Sequence, residues 1–289
     1  MTFRMQVTFT GYVDQFPALD VIVTDDKGSA LVPVVVRRIL AADNPKLEKS
    51  AKQHWLTMGV SLSPANSVEG INACSSASAG CIGGCIDHQG MGSWLRSIHV
   101  WRAAKLWLAK HKPALFYKML ADDLDRAESK ARRAGMELTA RLNVFSDLMH
   151  ERNKHGRQVI ADRPALQFYD YTAHLKRILR DDRPANYHLT YSRKEGRDTQ
   201  ARTVLNAGKN VAVVFNHANS DFPKSYLDHE VYSGDDTDLR FTDPAPRVIG
   251  LRLKYSSFDE AYKMIANGFA VTLPNIKPLV ELPTFYVSS

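Results

Sequence analysis

The residue types best suited to chemistry are concentrated in one loop. All three cysteines of the 289-residue chain, Cys74, Cys81 and Cys85, fall within twelve consecutive positions. An odd number of closely spaced thiols is a poor framework for disulfide bonds, and it is typical of a metal or cluster loop in a reducing compartment. The spacing, C-x6-C-x3-C, therefore predicts a segment that carries three soft thiolate donors.

Three interpretations of this loop stay open. A [4Fe-4S] cluster held by three thiolates leaves one iron open for an external ligand, as in radical S-adenosylmethionine enzymes. Those enzymes usually carry C-x3-C-x2-C after the first strand of a partial barrel, and this chain departs from that spacing. A zinc ion bound by the three cysteines and His88 is the second interpretation. Three packed thiols without a metal are the third.

The same loop is rich in small residues. Its glycines are Gly80, Gly83, Gly84, Gly90 and Gly92. Because glycine has no side chain, these positions would let the backbone come close to a ligand. The pattern matches neither a P-loop nor a dinucleotide fingerprint, so it does not identify a nucleotide.

The first fifty residues predict a small β-rich domain that precedes the loop. β-branched residues alternate along 1–40, and the Asp-Lys-Gly sequence at Gly28 is typical of a hairpin turn. Pro33 lies in the third of these runs and favours an edge strand, since proline donates no backbone hydrogen bond. We expect 1–50 to be a β-rich N-terminal appendage.

Residues 51–289 predict an α/β domain. Between Ser93 and Ala134 apolar residues recur at helical intervals, and Pro113 divides the stretch into two helices. Farther along, strand-like runs recur about every 20–25 residues with helical segments between them, which argues for βα units and a parallel sheet. With about six such strands, we expect a partial (β/α)6 TIM-like barrel followed by a C-terminal helix and tail.

Polar residues end the predicted strands, and parallel sheets bind ligands at the carboxyl ends of their strands. Helix capping at the end of the first of these strands and hydrogen-bonded core histidines are the ordinary structural alternatives. The residues singled out are Asn143, Ser146, Asp147, Asp170 and Thr172 as cofactor contacts, and His188 and Tyr191 as proton or hydrogen-atom donors.

Charge and hydropathy limit the partners. The chain has 38 Lys and Arg against 31 Asp and Glu, a net charge of +7, which is compatible with a nucleotide or nucleic acid. No apolar run approaches the ~20 residues of a membrane helix, and the first residues lack the apolar core of a signal peptide. We therefore expect a soluble, cytoplasmic protein. Neither a Ser–His–Asp order nor an HExxH motif supports a hydrolase.

Six segments in this order carry a resemblance to a known family: CSSASAGCIGGC, RLNVFSD, QFYDYT, PANYHLTYS, NVAVVF and DLRFTDP. Together, over roughly residues 58–254, they resemble phage and prophage proteins related to the "gene product 88" group. The resemblance implies a phage origin, a radical-SAM-like partial barrel, and Cys74, Cys81 and Cys85 as cluster ligands. Two departures concern substrate choice. Ser75 stands where the family has a proline-like residue, and Val144–Phe145 stand where it has a glycine.

The leading hypothesis is a phage-type radical-SAM-like enzyme in the host cytoplasm, with a [4Fe-4S] cluster and S-adenosylmethionine, acting on a nucleotide or nucleic acid. Asn143, Ser146 and Asp147 would contact the adenosyl side, and His188 and Tyr191 the substrate. Two alternatives belong to other classes. One is a zinc-stabilised, non-catalytic nucleic-acid-binding protein, and the other is a cluster-bearing protein that binds a host protein.

Overall fold

The computed structural model describes residues 3–41, 53–88, 95–218 and 222–283. In these ranges the chain forms a three-stranded antiparallel sheet and a ten-stranded, mostly parallel sheet. The small sheet consists of β1 (Arg4–Val13), β2 (Phe16–Asp25) and β3 (Gly28–Val35), with β2 in the centre.

The predicted hairpin in the small sheet is confirmed. β2 and β3 pair antiparallel, and Asp25 lies opposite Gly28 at the turn. Pro33 lies on the edge strand β3, where the missing N–H removes no hydrogen bond from a central strand. Alternate residues of β2, Leu19, Val21 and Val23, are fully buried, so one face of this sheet is part of the core.

Two long helices separate the first strands of the large sheet, and Pro113 opens the second helix as the sequence predicts. The elements of this part are β4 (Leu40–Ala41), β5 (Trp55–Val60), α1 (Ala79–Gly83), α2 (Arg96–His111), α3 (Pro113–Arg133) and β6 (Glu137–Arg141). Strands β5 and β6 pair parallel, with Trp55 opposite Glu137.

The following elements alternate between helix and strand up to β9. They are α4 (Lys154–Ala161), β7 (Gln167–Thr172), α5 (Leu175–Leu179), β8 (Tyr187–Ser192), α6 (Asp198–Asn206) and β9 (Val211–Phe215). The chain then continues through β10 (Ser225–Tyr226), β11 (His229–Ser233), β12 (Val248–Arg252), α7 (Phe258–Ala266) and β13 (Ala270–Val271). A single-turn 3-10 helix, Arg240–Thr242, lies between β11 and β12.

The predicted partial (β/α)6 TIM-like barrel is wrong. The large sheet has the order β10-β11-β12-β9-β8-β7-β6-β5-β4, and β13 also pairs with β9. In a barrel, successive strands are neighbours, whereas here β12 lies beside β9. At the two ends of the strand order, β4 pairs antiparallel with β5 and β10 pairs antiparallel with β11. The alternation of helix and strand predicts the parallel pairing of β5, β6 and β7 and of β8 with β9. It does not predict the order of the strands in the sheet.

The chain divides into two compact units. The first unit comprises Met1–Ser75, Asp87–Phe168 and Arg183–Tyr187, and the second unit comprises Ser76–Ile86, Tyr169–Asp182 and His188–Ser289. The sequence-based boundary between residues 50 and 51 falls outside the described residues. Most of the cysteine loop, Ser76–Ile86, belongs to the second unit, although both of its flanks belong to the first.

Candidate functional site

In the first unit, Ala73 and Cys74, at the start of the cysteine loop, are hydrogen-bonded to the segment that follows β6. The half-buried Cys74 thiol donates to the carbonyl oxygen of Phe145 at 3.7 Å. The backbone N–H of Asp147 donates to the carbonyl oxygen of Ala73 at 2.8 Å. Cys74 therefore lies where the sequence expected ligands, at the carboxyl end of a parallel strand.

Asn143 organises that same segment after β6. Its Oδ1 accepts from Ser146 Oγ and from the backbone N–H of Leu148, both at 2.8 Å, and its Nδ2 donates to the Leu148 carbonyl at 3.0 Å. These bonds fix the backbone next to Cys74, because one amide side chain joins both ends of the turn. Contact of Asn143, Ser146 and Asp147 with an adenosyl group stays a prediction.

The far end of the cysteine loop is held by a buried carboxylate of the first unit. Asp87 forms an ion pair with Arg102 and lies 3.3 Å from His99 Nδ1. The Arg102 guanidinium also lies 4.1 Å from the centre of the Phe145 ring, the residue whose carbonyl accepts from Cys74. One polar network thus connects the residues before and after the loop. The side chain of His88, the predicted fourth zinc ligand, lies outside the described residues.

In the second unit, Ser76, two residues after Cys74, is hydrogen-bonded to residues that follow two strands. Ser76 Oγ shares a 2.7 Å hydrogen bond with His174 Nδ1, and Arg197 donates to the Ser76 carbonyl at 2.9 Å. His174 follows β7 and Arg197 follows β8. The backbone N–H of His174 in turn donates to Thr172 Oγ1 at 3.2 Å. The loop is therefore positioned by side chains at the carboxyl ends of two strands.

Glu195 is the central anchor of the loop, and sequence reasoning misses it. Its carboxylate accepts from Ser78 Oγ at 2.5 Å and from the backbone N–H of Gly80 at 2.7 Å. Partial burial works against the charged carboxylate, but the hydrogen bonds from Ser78, Gly80 and its own backbone, together with the charge of Lys194, outweigh burial and hold the pKa of Glu195 below its ordinary value. The only signal in the sequence is position, because Glu195 is the third residue after β8.

Two glycines that suggest a close approach to a ligand have another role. A Cβ at Gly84 would overlap the sulfur of Met264 on α7, and a Cβ at Gly80 would lie 2.7 Å from Phe269 Cβ. Gly80 and Gly84 therefore allow α1 to pack tightly on α7. Gly83 has open space around it, and Gly90 and Gly92 lie outside the described residues.

Cys81 lies against an apolar cluster in the second unit. The cluster consists of Leu253, Ala261, Met264, Phe269, Ala270 and Val280. This apolar contact limits the access of water to one side of the thiol. The Cys85 side chain is half-buried.

The remaining predicted residues occupy both faces of their strands. Asp170 and Thr172 are fully buried on β7. On β8, His188 Nε2 lies 3.4 Å from Thr190 Oγ1, whereas the Tyr191 hydroxyl donates to Gln200 of α6 at 2.8 Å. Because successive residues of a strand point to opposite faces, the two predicted catalytic side chains lie on different faces of β8.

Two further polar groups of the second unit are buried with few partners. Both carboxylate oxygens of Asp243 lack a hydrogen bond in the described part of the chain, although Arg240 Nη1 lies 3.2 Å away. Burial raises the pKa of Asp243 to about 6, against the opposing effect of Arg240. Among the residues that the structure describes, both ring nitrogens of His217, two residues beyond β9, lack a hydrogen-bond partner, and burial lowers the pKa of this side chain. The sequence offers only their position near strand ends.

The match to a family model decides the family. The model described as "Gene product 88" matches residues 37–266, well over half of the chain. The chain belongs to the gene product 88 family. No curated protein and no solved structure matches it.

The gene product 88 match covers the cysteine loop and every strand of the large sheet from β4 to β12. The three-stranded sheet ends at Val35 and lies outside the matched span. Among the described residues of this gene product 88 protein, no helix is long and apolar enough to cross a membrane.

The cysteines are chemically suitable ligands for a metal centre. Three half-buried thiols on one loop are suitable donors for an iron–sulfur cluster or zinc. Within the ranges that the structure describes, however, no three His, Cys, Asp or Glu side chains are grouped closely enough to hold a metal ion.

Proposed function

We propose that this gene product 88 protein binds an iron–sulfur cluster through Cys74, Cys81 and Cys85. The observation that carries the proposal is the anchoring of the loop in the second unit, where Glu195 accepts from Ser78 and Gly80 at the carboxyl end of β8. Ligand sites of parallel sheets lie at this end of the strands. A loop held there by a carboxylate presents its thiols where chemistry is expected.

The chain's own residues supply the conditions for metal binding. Cys74 is a hydrogen-bond donor to Phe145, so its thiol must lose a proton before the sulfur binds a metal. The apolar residues around Cys81 exclude water from one side of that sulfur, and a dry surrounding is a means of tuning a cluster. Both features favour the neutral thiol when no metal is bound, so a bound metal would have to stabilise the thiolate that it requires.

The finer proposal is a radical-SAM-like activity in the host cytoplasm on a nucleotide or nucleic acid. When bound, a cluster with one open iron would supply the electron for reductive cleavage of S-adenosylmethionine. The net charge of +7 supports a phosphate-bearing substrate. Asn143, Ser146, Asp147, Asp170 and Thr172 are the proposed cofactor contacts. His188 and Tyr191 are the proposed substrate contacts, and because they lie on opposite faces of β8, only one of them can touch the substrate directly.

Anaerobic reconstitution with iron and sulfide tests the proposal. We expect the broad visible absorption of sulfur-to-iron charge transfer in the wild type, and its loss in Cys74→Ala, Cys81→Ala and Cys85→Ala. Ile82→Ala is the matched control, because Ile82 is exposed and lies on the same loop. A change in the electron paramagnetic resonance spectrum on addition of S-adenosylmethionine would support the finer proposal. Binding of zinc alone, or equal iron in the wild type and the cysteine variants, would overturn the cluster.

A further inference from the structure

Lys194 is a buried lysine beside the anchored loop. Only 6% of its surface is exposed. Its ammonium group donates to Ser192 Oγ at 2.9 Å and lies 5.5 Å from the centre of the Phe269 ring. An ammonium group has three N–H donors, and Ser192 is its one hydrogen-bond acceptor in the described residues.

Lys194 forms no ion pair within the part of the chain that the structure describes, although its charge acts over a longer distance on the carboxylate of Glu195. Among the residues that the structure describes, no Asp or Glu oxygen lies within 4.0 Å of its ammonium nitrogen. The adjacent Glu195 uses its carboxylate to hold Ser78 and Gly80. Burial of a cation is unfavourable unless an anion compensates it, and a hydroxyl with an aromatic ring compensates only in part.

The neighbouring Arg193 is a buried cation whose charge is compensated by a carboxylate at the same strand end. Arg193 is equally buried, yet it donates to Asp198 at 2.7 Å and to the carbonyl oxygen of Phe269 at 3.3 Å. Arg193 therefore has a complete structural role. In the described residues Lys194 has no equivalent ion pair, although both residues follow β8 directly.

Position and chemistry together indicate a ligand. Lys194 lies at the carboxyl end of β8, where parallel sheets bind ligands, and Ser192, Glu195 and Arg197 around it are only half-buried. A compact ammonium group with spare donors suits the oxygen atoms of a phosphate or carboxylate group. We propose that Lys194 and Ser192 form an oxyanion-binding subsite for the phosphate or carboxylate group of a small ligand. This subsite does not depend on a metal at the cysteines.

Binding of inorganic phosphate to the full chain tests the subsite. Phosphorus-31 line broadening and calorimetric titration, in a chloride-balanced Tris buffer, should give saturable binding to the wild type. Lys194→Met keeps the length of the side chain without its charge, and we expect its phosphate affinity to fall at least tenfold. Lys194→Arg, which keeps the charge, should bind within a few-fold of the wild type. Lys263→Met is the control, because Lys263 is an exposed lysine paired with Asp259 in the same unit.

Acetate distinguishes the two sources of the oxyanion. Competition by acetate at concentrations similar to phosphate would assign the subsite to carboxylates, and its failure would assign it to phosphates. The melting temperature of Lys194→Met without ligand gives a second readout, and it should equal or exceed that of the wild type because the buried charge is gone. The proposal is overturned if neither anion binds the wild type, or if Lys194→Met binds phosphate as tightly as Lys263→Met.

Discussion

Asp123 in the first unit and Asp243 in the second are both carboxylates less than a tenth exposed, and each pairs with an arginine three residues away. Asp123 accepts from the backbone N–H groups of Ile39 and Leu40, at 2.6 and 3.1 Å, as well as from Arg126. Asp243 has Arg240 nearby but accepts no hydrogen bond in the described residues. The same pair of residue types is thus satisfied in one unit and not in the other.

This difference distinguishes a buried charge that is hydrogen-bonded within the fold from a buried charge that has no hydrogen bond among the described residues. Asp123 holds the backbone between β3 and β4, where the polar groups of a crossing chain need partners. In the second unit, Lys194 and His217 share with Asp243 the burial of a polar group without full compensation. Because proteins break local rules mainly at functional sites, the contrast supports a ligand site in the second unit.

Replacing Asp123 should cause the largest loss in the free energy of unfolding. Asp123→Ala leaves two buried backbone N–H groups without an acceptor, and we expect a loss of about 3 kcal/mol in the free energy of unfolding. Urea denaturation measures the loss. Asp122→Ala is the control, since Asp122 forms an exposed pair with Lys118 and should cost less than about 0.5 kcal/mol. An equal loss in Asp243→Ala at pH 7 would break the comparison.

The next effect concerns how the second unit holds the cysteine loop. Gly84→Ala places a methyl group against Met264 and should cost roughly 1–3 kcal/mol through overpacking. Gly83→Ala, one position earlier, meets open space and should be neutral or slightly stabilising. Thermal unfolding of the two variants measures the difference in their stability. Similar melting temperatures would show that α1 does not pack on α7 in this way.

A pH titration should reveal Asp243. Its pKa is about 6 in the folded chain against 3.8 as the ordinary value, so folding favours the protonated acid. The stability from this group is complete below about pH 4 and is lost as the pH rises through 6, on the order of 2 kcal/mol. Unfolding measured from pH 4 to 7 should show this slope in the wild type. Its persistence in Asp243→Asn would assign the slope to another group.

The smallest effect should come from His217, with the opposite sign. Burial lowers its pKa below 6.5 in the folded chain, so the unfolded chain takes up the proton first. Stability is therefore lost as the pH falls below about 6.5. His217→Phe should remove this acid-side loss and change stability at pH 7 by less than about 1 kcal/mol. His111→Gln, at an exposed position, should keep the loss. If His217→Phe loses stability below about pH 6.5 as the wild type does, the loss does not come from His217.

Local structure was predictable because it depends on nearby residues. The turn at Gly28 and the start of α3 at Pro113 follow from the conformational limits of glycine and proline. The parallel pairing of β5, β6 and β7, and of β8 with β9, follows from the alternation of helices and strands. The strand order does not, because the short β10 and β11 and the insertion of β12 beside β9 depend on contacts far apart in the chain.

The candidate site was predictable only in outline. The cysteine loop stood out by residue type, and its placement at strand ends was expected from the sheet. Glu195 and Lys194 were missed because they lie beyond the last residue of β8, in a stretch that is typical of an ordinary charged loop. The sequence suggests that Gly80 and Gly84 make room for a ligand, because the contact between α1 and α7 that explains them joins residues nearly two hundred positions apart.

The metal content of the chain isolated without exposure to oxygen tests the central claim most directly. Iron, acid-labile sulfide and zinc are measured per chain on the wild type, with Cys81→Ala isolated in parallel. The account predicts about four iron and four sulfide ions per wild-type chain and their loss in the variant. One zinc ion without iron, or no metal in either protein, would contradict the cluster and leave the cysteine loop a packed segment held by Glu195.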